Sequence, residues 1–132
     1  MVRAKFIMRN GAAVKPVTTA KDVVSRLSAL GLPGLAVVNN DLDILGVITE
    51  FDILGALREG MALDSFTAER VMTKNPLTAD VNTTAHELIK LMLLNNYTVI
   101  PILNNGKFAG VVSRLAVLDS YESSGYDVFQ DK

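Results

Sequence analysis

Gly46-Val47-Ile48-Thr49 is answered by Gly110-Val111-Val112-Ser113, 64 residues further on. The same spacing, without a gap, pairs Met8 with Met72, Val17 with Val81, Thr19 with Thr83, Leu27 with Leu91, Leu30 with Leu94, Asn40 with Asn104 and Leu54 with Leu118. A repeat that runs from Met8 to Leu54 sets the architecture before any single residue does. Two copies are too few to stack as a solenoid, so they are expected to pack on each other about a pseudo-twofold axis.

Working outward from the quoted stretch, each copy reads as helix, strand, strand, helix behind an extended lead-in. In the first copy, Thr18-Thr19-Ala20-Lys21-Asp22 places hydroxyls and an acid where a helix starts. Val23, Val24, Leu27 and Leu30 recur at helical spacing, and Gly31 stops the helix. Leu35 to Val38 and Ile44 to Ile48 read as strands, and Phe51-Asp52-Ile53-Leu54 begins a helix to Arg58. In the second copy, Thr83-Thr84-Ala85-His86-Glu87 opens a helix, Val99 to Leu103 is a strand, and Asn105-Gly106 is a type I′ turn pair. Phe108 to Val112 returns, and Arg114 to Tyr121 closes as a helix. Pro101 points to an edge strand or a strand end. Glu59 to Phe66 reads as a loop, and the polar tail Glu122 to Lys132 is expected to be loose. The units are expected at 1–66 and 67–132. The class is mixed α/β, with small sheets packed together and covered by helices.

Composition removes whole classes of function. The 132 residues hold no cysteine and one histidine, His86, so disulfides, thiolate metal sites and histidine clusters are excluded. Apolar residues make up 49% and aromatics only 6%, an aliphatic core with some to spare for a subunit interface. Seven basic and seven acidic residues fall in 1–66, six and seven in 67–132, so neither half offers a basic stripe for nucleic acid. No apolar run spans a membrane, and the start lacks the apolar stretch of a signal peptide; a cytoplasmic protein is expected. There is no P-loop, dinucleotide glycine fingerprint or nucleophile elbow, so no enzyme, catalytic residue, catalytic cofactor or metal site is expected.

The order of these features, present twice, resembles a pair of CBS domains, the tandem often called a Bateman module. The resemblance rests on Gly46-Val47-Ile48-Thr49-Glu50-Phe51-Asp52 and Gly110-Val111-Val112-Ser113-Arg114-Leu115-Ala116, with Met8, Val71-Met72-Thr73, Pro33 to Asn39 and Tyr97 to Leu103 around them. It implies two β-α-β-β-α units with two clefts between them. It implies a stand-alone regulatory module that binds an adenosine-containing ligand (AMP, ADP or ATP, in some members S-adenosylmethionine or NAD) and signals to a partner protein. It also implies a homodimer.

Thr49 and Asp52 are the candidate site residues with the clearest chemistry. A carboxylate one helical turn into a helix can accept both hydrogens of a ribose diol, and Thr49 with the helix N–H groups can face a phosphate. For this cleft the resemblance implies a far wall near Leu77-Thr78 and Asn96-Tyr97-Thr98. For the other it implies Ala13-Val14 and Leu32-Pro33-Gly34, with Ser113 and Arg114 as phosphate contacts. Ala116 stands where the second acid belongs, and Gly34 and Thr98 stand where some members carry a base. One better cleft, at Asp52, and one degraded or different cleft are therefore expected. Other readings stay open. Thr49-x-x-Asp52 is also a helix-capping pair, Tyr97 also fits a core, and His86 fits a solvated helix face. The whole chain also fits a protein-interaction and dimerisation module that has lost its ligand.

Overall fold

A computed structural model describes residues 1–123. Its elements are β1 (Ala13–Val14), α1 (Ala20–Leu30), β2 (Gly34–Val38), β3 (Ile44–Thr49), α2 (Glu50–Arg58), α3 (Ala68–Val71), β4 (Thr73–Lys74), β5 (Ala79–Asp80), α4 (Ala85–Asn95), β6 (Val99–Asn104), β7 (Lys107–Ser113) and α5 (Arg114–Ser123), after a 3-10 turn at Ala4–Phe6. Two sheets form, in strand order β1-β2-β3-β4 and β5-β6-β7. The tail beyond Ser123 lies outside the described residues.

Local chemistry sets the helix ends. Thr19 accepts from the Asp22 N–H to start α1, and Gly31 ends it at φ +65°. Thr84 and Glu87 form a reciprocal capping box on α4, which Asn96 ends in the same left-handed conformation at φ +57°. The Thr84 amide and hydroxyl hold the Glu87 carboxyl below the usual carboxylate range. Val23 and Leu27 on α1, and Leu88 and Met92 on α4, sit one turn apart and are buried against the sheets. Phe108 and Val111 of the second copy join the first copy's core, so the two halves share apolar packing.

The gap-free register does not survive. In three dimensions Gly34 and Val99 both open a central strand, Pro33 and Thr98 both precede one, and Thr19 and Thr84 both cap a helix, which is a spacing of 65. Gly46 and Gly110 remain 64 apart. The change falls in the hairpins. Three residues, Asn40–Leu42, connect Asn39 to Asp43, with Leu42 left-handed at φ +64°; two residues, Asn105 and Gly106 at φ +52° and +81°, connect Asn104 to Lys107. An extra residue in the second lead-in compensates, so spacing 64 returns for Met8 and Met72.

Those lead-ins cross over. β4 pairs with β3 of the first copy, through Gly46↔Lys74 and Val47↔Thr73. Arg9 bridges Val111 on β7 of the second copy, and Ala4 is buried in that copy's core. Pro101 lies in the middle strand of its sheet rather than at an edge. It precedes the two residues, Ile102 and Leu103, that pair with β5, so its missing N–H interrupts no ladder there. The stretch after Phe66 holds the short helix α3, which the periodicity did not foretell.

Candidate functional site

Two hollows open where the start of a post-strand helix faces the other unit. Both are built alike. The first helical N–H of α2, on Glu50, donates to the Pro33 carbonyl at 3.0 Å; that of α5, on Arg114, donates to the Thr98 carbonyl at 3.2 Å. Each helix start is thereby tied to the loop that precedes a central strand. Pro33 and Thr98 line both hollows and form the partition between them.

The first hollow, about 410 Å³, is lined by Thr49 and Asp52, by Tyr97 and Thr98 opposite, and by Thr73 from the crossed lead-in. Asp52 caps α2: its Oδ2 accepts from the Thr49 N–H at 2.9 Å and from the Thr49 hydroxyl at 3.0 Å, while the Asp52 N–H donates to Thr49 Oγ1 at 3.3 Å. The capping reading is therefore realised. It occupies one carboxylate oxygen and leaves Oδ1 without a protein donor among the described residues. Thr78 is not part of this lining, nor is Leu77; Thr73 and Pro76, earlier on the same segment, take that place.

The second hollow, about 480 Å³, is lined by Ser113, Arg114 and Ala116, by Leu32 and Pro33 opposite, and by Arg9. Ser113 Oγ accepts from the Ala116 N–H at 3.2 Å. Arg114 reaches back across the partition: Nε donates to the Tyr97 carbonyl and Nη2 to Asn96 Oδ1, both at 2.6 Å. Val14 does not line this hollow. It is buried in β1 and borders a separate depression beside Lys15 and Phe108. Arg9 was missed by the sequence reading. Its signal was present, because Arg9 and Thr73 stand at the same spacing of 64 as the two glycines they lie beside.

Away from the hollows, the hairpin tips are clasped. Lys107 Nζ meets Asp43 Oδ1 at 2.6 Å, and the Phe108 N–H donates to the Leu42 carbonyl at 2.8 Å. The Lys107 ammonium, helped by the Asn39 amide, holds the Asp43 carboxyl below its ordinary value, and Asp43 raises that of Lys107. Among the described residues no three acids or histidines are placed to hold a metal ion, and no helix is long and apolar enough to cross a membrane.

The family model for the CBS domain matches the chain twice, at residues 3–59 and 68–123. An uncharacterized 17.7 kDa protein of Acidianus ambivalens is 32% identical over 101 residues, 76% of this chain. The curated relatives are longer, and the chain spans 60% of that one. Among solved structures, an uncharacterized conserved protein of Pyrococcus horikoshii superimposes with a TM-score of 0.78 at 28% identity, covering 90% of this chain and 91% of the other. CBSX2, crystallised in complex with AMP, superimposes with a TM-score of 0.79 at 20% identity, covering 95% and 99%.

Proposed function

The chain belongs to the CBS-domain family, as a tandem pair, and from that membership we propose that it is a cytoplasmic regulatory module rather than an enzyme. Its units, 1–66 and 67–132, bind an adenosine-containing ligand of the AMP, ADP or ATP class between them and pass its occupancy to a partner protein. One observation carries this reading. Asp52 is fixed by Thr49 through one oxygen, keeps the other free of donors among the described residues, and lines a hollow whose far wall is Tyr97 and Thr98 of the opposite unit. A carboxylate so held can take a ribose diol with charge-assisted hydrogen bonds, and Val47 and Pro33 offer apolar surface to a base. The fold shared with CBSX2, which was crystallised with AMP, supports the ligand class.

The test is mass spectrometry of small molecules released from the purified protein, paired with melting curves. A ligand at 100 times its dissociation constant should stabilise the fold by about 2.7 kcal/mol. Unchanged melting with adenosine, AMP, ADP and ATP, and no adenosine compound in the extract, would overturn the reading.

A second reading has its own observation. Phe51 and Leu54 on α2, and their counterparts Leu115 and Leu118 on α5, are 83, 63, 65 and 63% exposed. Four large apolar side chains at matched positions favour a homodimer built on these helices. Such a dimer serves a ligand-binding module and a purely protein-interacting one alike. Copurification of a partner with no bound nucleotide would select the interaction module.

A further inference from the structure

The depression that Val14 borders, about 590 Å³, lies apart from both hollows, where the first unit meets Phe108 of the second. Val14, Val38 and Phe108, all buried, give it an apolar floor, and Lys15, Asp22 and Arg26 stand around it.

Four positions here differ from their counterparts in the second unit, taken at the structural spacing of 65, and each difference leaves a polar group open. In the second unit the Val81 N–H donates to the Leu103 carbonyl at 3.0 Å and so extends the parallel β5–β6 pairing by one bond. In the first unit the matching residue beyond β1 is Pro16, which has no N–H. The carbonyl of buried Val38 therefore lacks that donor, and no side chain among the described residues replaces it. Glu87 turns its carboxylate back onto Thr84. Its counterpart Asp22 has only its N–H held by Thr19, and its carboxylate has no donor among the described residues. Asp80 and Leu91 are matched by Lys15 and Arg26. Neither cation meets a carboxylate among the described residues. Lys15 Nζ donates to the Asn39 carbonyl at 3.0 Å, and Arg26 Nη2 donates to the Gly11 carbonyl. Backbone oxygens thus anchor both side chains and leave their charges, and most of their hydrogens, unused.

These groups call for complementary partners. The two cations suit a carboxylate, the Val38 carbonyl and Asp22 suit a cationic donor, and the floor suits an apolar body. We propose that this depression binds a free α-amino acid with an apolar side chain. Its carboxylate lies on Lys15 and Arg26, its ammonium on Asp22 and the Val38 carbonyl, and its side chain on Val14 and Phe108. The site is additional to the adenosine function proposed above and does not rest on it.

Amide NMR and calorimetry on the full chain test the proposal with L-leucine and L-phenylalanine. At least one is expected to move the Val14, Lys15, Val38 and Phe108 signals and to leave Thr49 to Asp52 in place. Isocaproate, which is leucine without its amino group, and isopentylamine, which is leucine without its carboxylate, should bind at least about tenfold more weakly than L-leucine. Pro16→Val gives the first unit the donor that the second unit has, and Arg26→Leu removes an exposed cation. Each should weaken the amino acid about tenfold, the size of one lost charge-assisted contact, while the melting temperature reports an intact fold. No shifts with either amino acid, shifts confined to Thr49 to Asp52, isocaproate binding as tightly as L-leucine, or unchanged affinity in both variants overturns the proposal. Adenosine binding is measured separately, so failure here leaves the adenosine function standing, and failure there leaves this site standing.

Discussion

Met72 lies across Gly46 so closely that a Cβ on the glycine would stand 2.7 Å from the methionine sulfur, and equally 2.7 Å from the Thr73 carbonyl oxygen. The second copy repeats the contact with roles exchanged: a Cβ on Gly110 would meet the Arg9 carbonyl at 2.8 Å and Met8 at 3.0 Å. Each unit's lead-in thus closes the other unit's sheet, and a glycine marks each crossing. Because the obstacle includes backbone, a methyl group cannot be absorbed by a rotamer change. Gly46→Ala and Gly110→Ala should each destabilise the fold by about 1–3 kcal/mol, as overpacking does. Gly55, inside α2 with open space around it, is the control. Gly55→Ala should stabilise by up to about 1 kcal/mol through helix propensity, and urea unfolding of the three variants checks the contrast.

Asp52 has two duties that one substitution can separate. Its Oδ2 caps α2, and its Oδ1 is open. Asp52→Ala should cost about 1 kcal/mol of stability as a lost cap, together with any nucleoside binding. Asp52→Asn keeps an acceptor for the Thr49 N–H but halves the acceptor set and removes the charge, so it should recover most of the stability and little of the binding. Equal recovery of both would mean that the residue acts only as a cap.

The Asp43–Lys107 clasp makes the union of the units pH-dependent. Lys107 lowers the Asp43 pKa, so this contribution is present above the ordinary carboxylate range and is lost as pH falls through the lowered value. Asp43 raises the Lys107 pKa, so that contribution is present below the ordinary amine range and is lost as pH rises through the raised value. The stability difference between the native chain and Lys107→Ala should therefore be greatest between about pH 5 and 9 and shrink at both ends. Both side chains are about half exposed, so 1 M salt should shrink it as well.

The exposed leucines of α2 and α5 give a direct test of association. Leu54→Glu with Leu118→Glu places a carboxylate on each apolar helix face without touching the buried Ile53, Ala56 or Val117. Sedimentation at micromolar concentration should move from dimer to monomer while the far-ultraviolet spectrum is kept. A native chain that is monomeric under the same conditions would remove the homodimer.

What the sequence made legible follows from the range of the forces involved. Helix ends and the second hairpin were readable because Thr19, Gly31, Thr84 and Asn105-Gly106 act on their own neighbours. The repeat exposed the two glycines and hence the paired hollows. It matched the first helices and central strands of the two copies one residue out of step, because the shorter turn at Asn105-Gly106 and the longer second lead-in cancel in the count. The crossing of the lead-ins was invisible. It depends on which sheet Thr73 and Arg9 reach, a choice made by packing across the whole molecule. Thr78 and Val14 failed to reach the hollows for that same reason, and Arg9 went unnoticed.

Arg114 ties the two hollows together. Its Nε–Nη2 edge holds Tyr97 and Asn96, which line the Asp52 hollow, while the residue itself lines the other. Without these two bonds the Asn96–Thr98 wall must be ordered by the ligand itself, at a cost in affinity. Arg114→Leu should therefore weaken adenosine several-fold, although Arg114 does not line the Asp52 hollow. Calorimetric titrations of adenosine on the native chain and on Arg114→Leu measure the difference. Equal adenosine affinities in the two chains, with equal melting temperatures, would mean that these bonds do nothing for the hollow beside them.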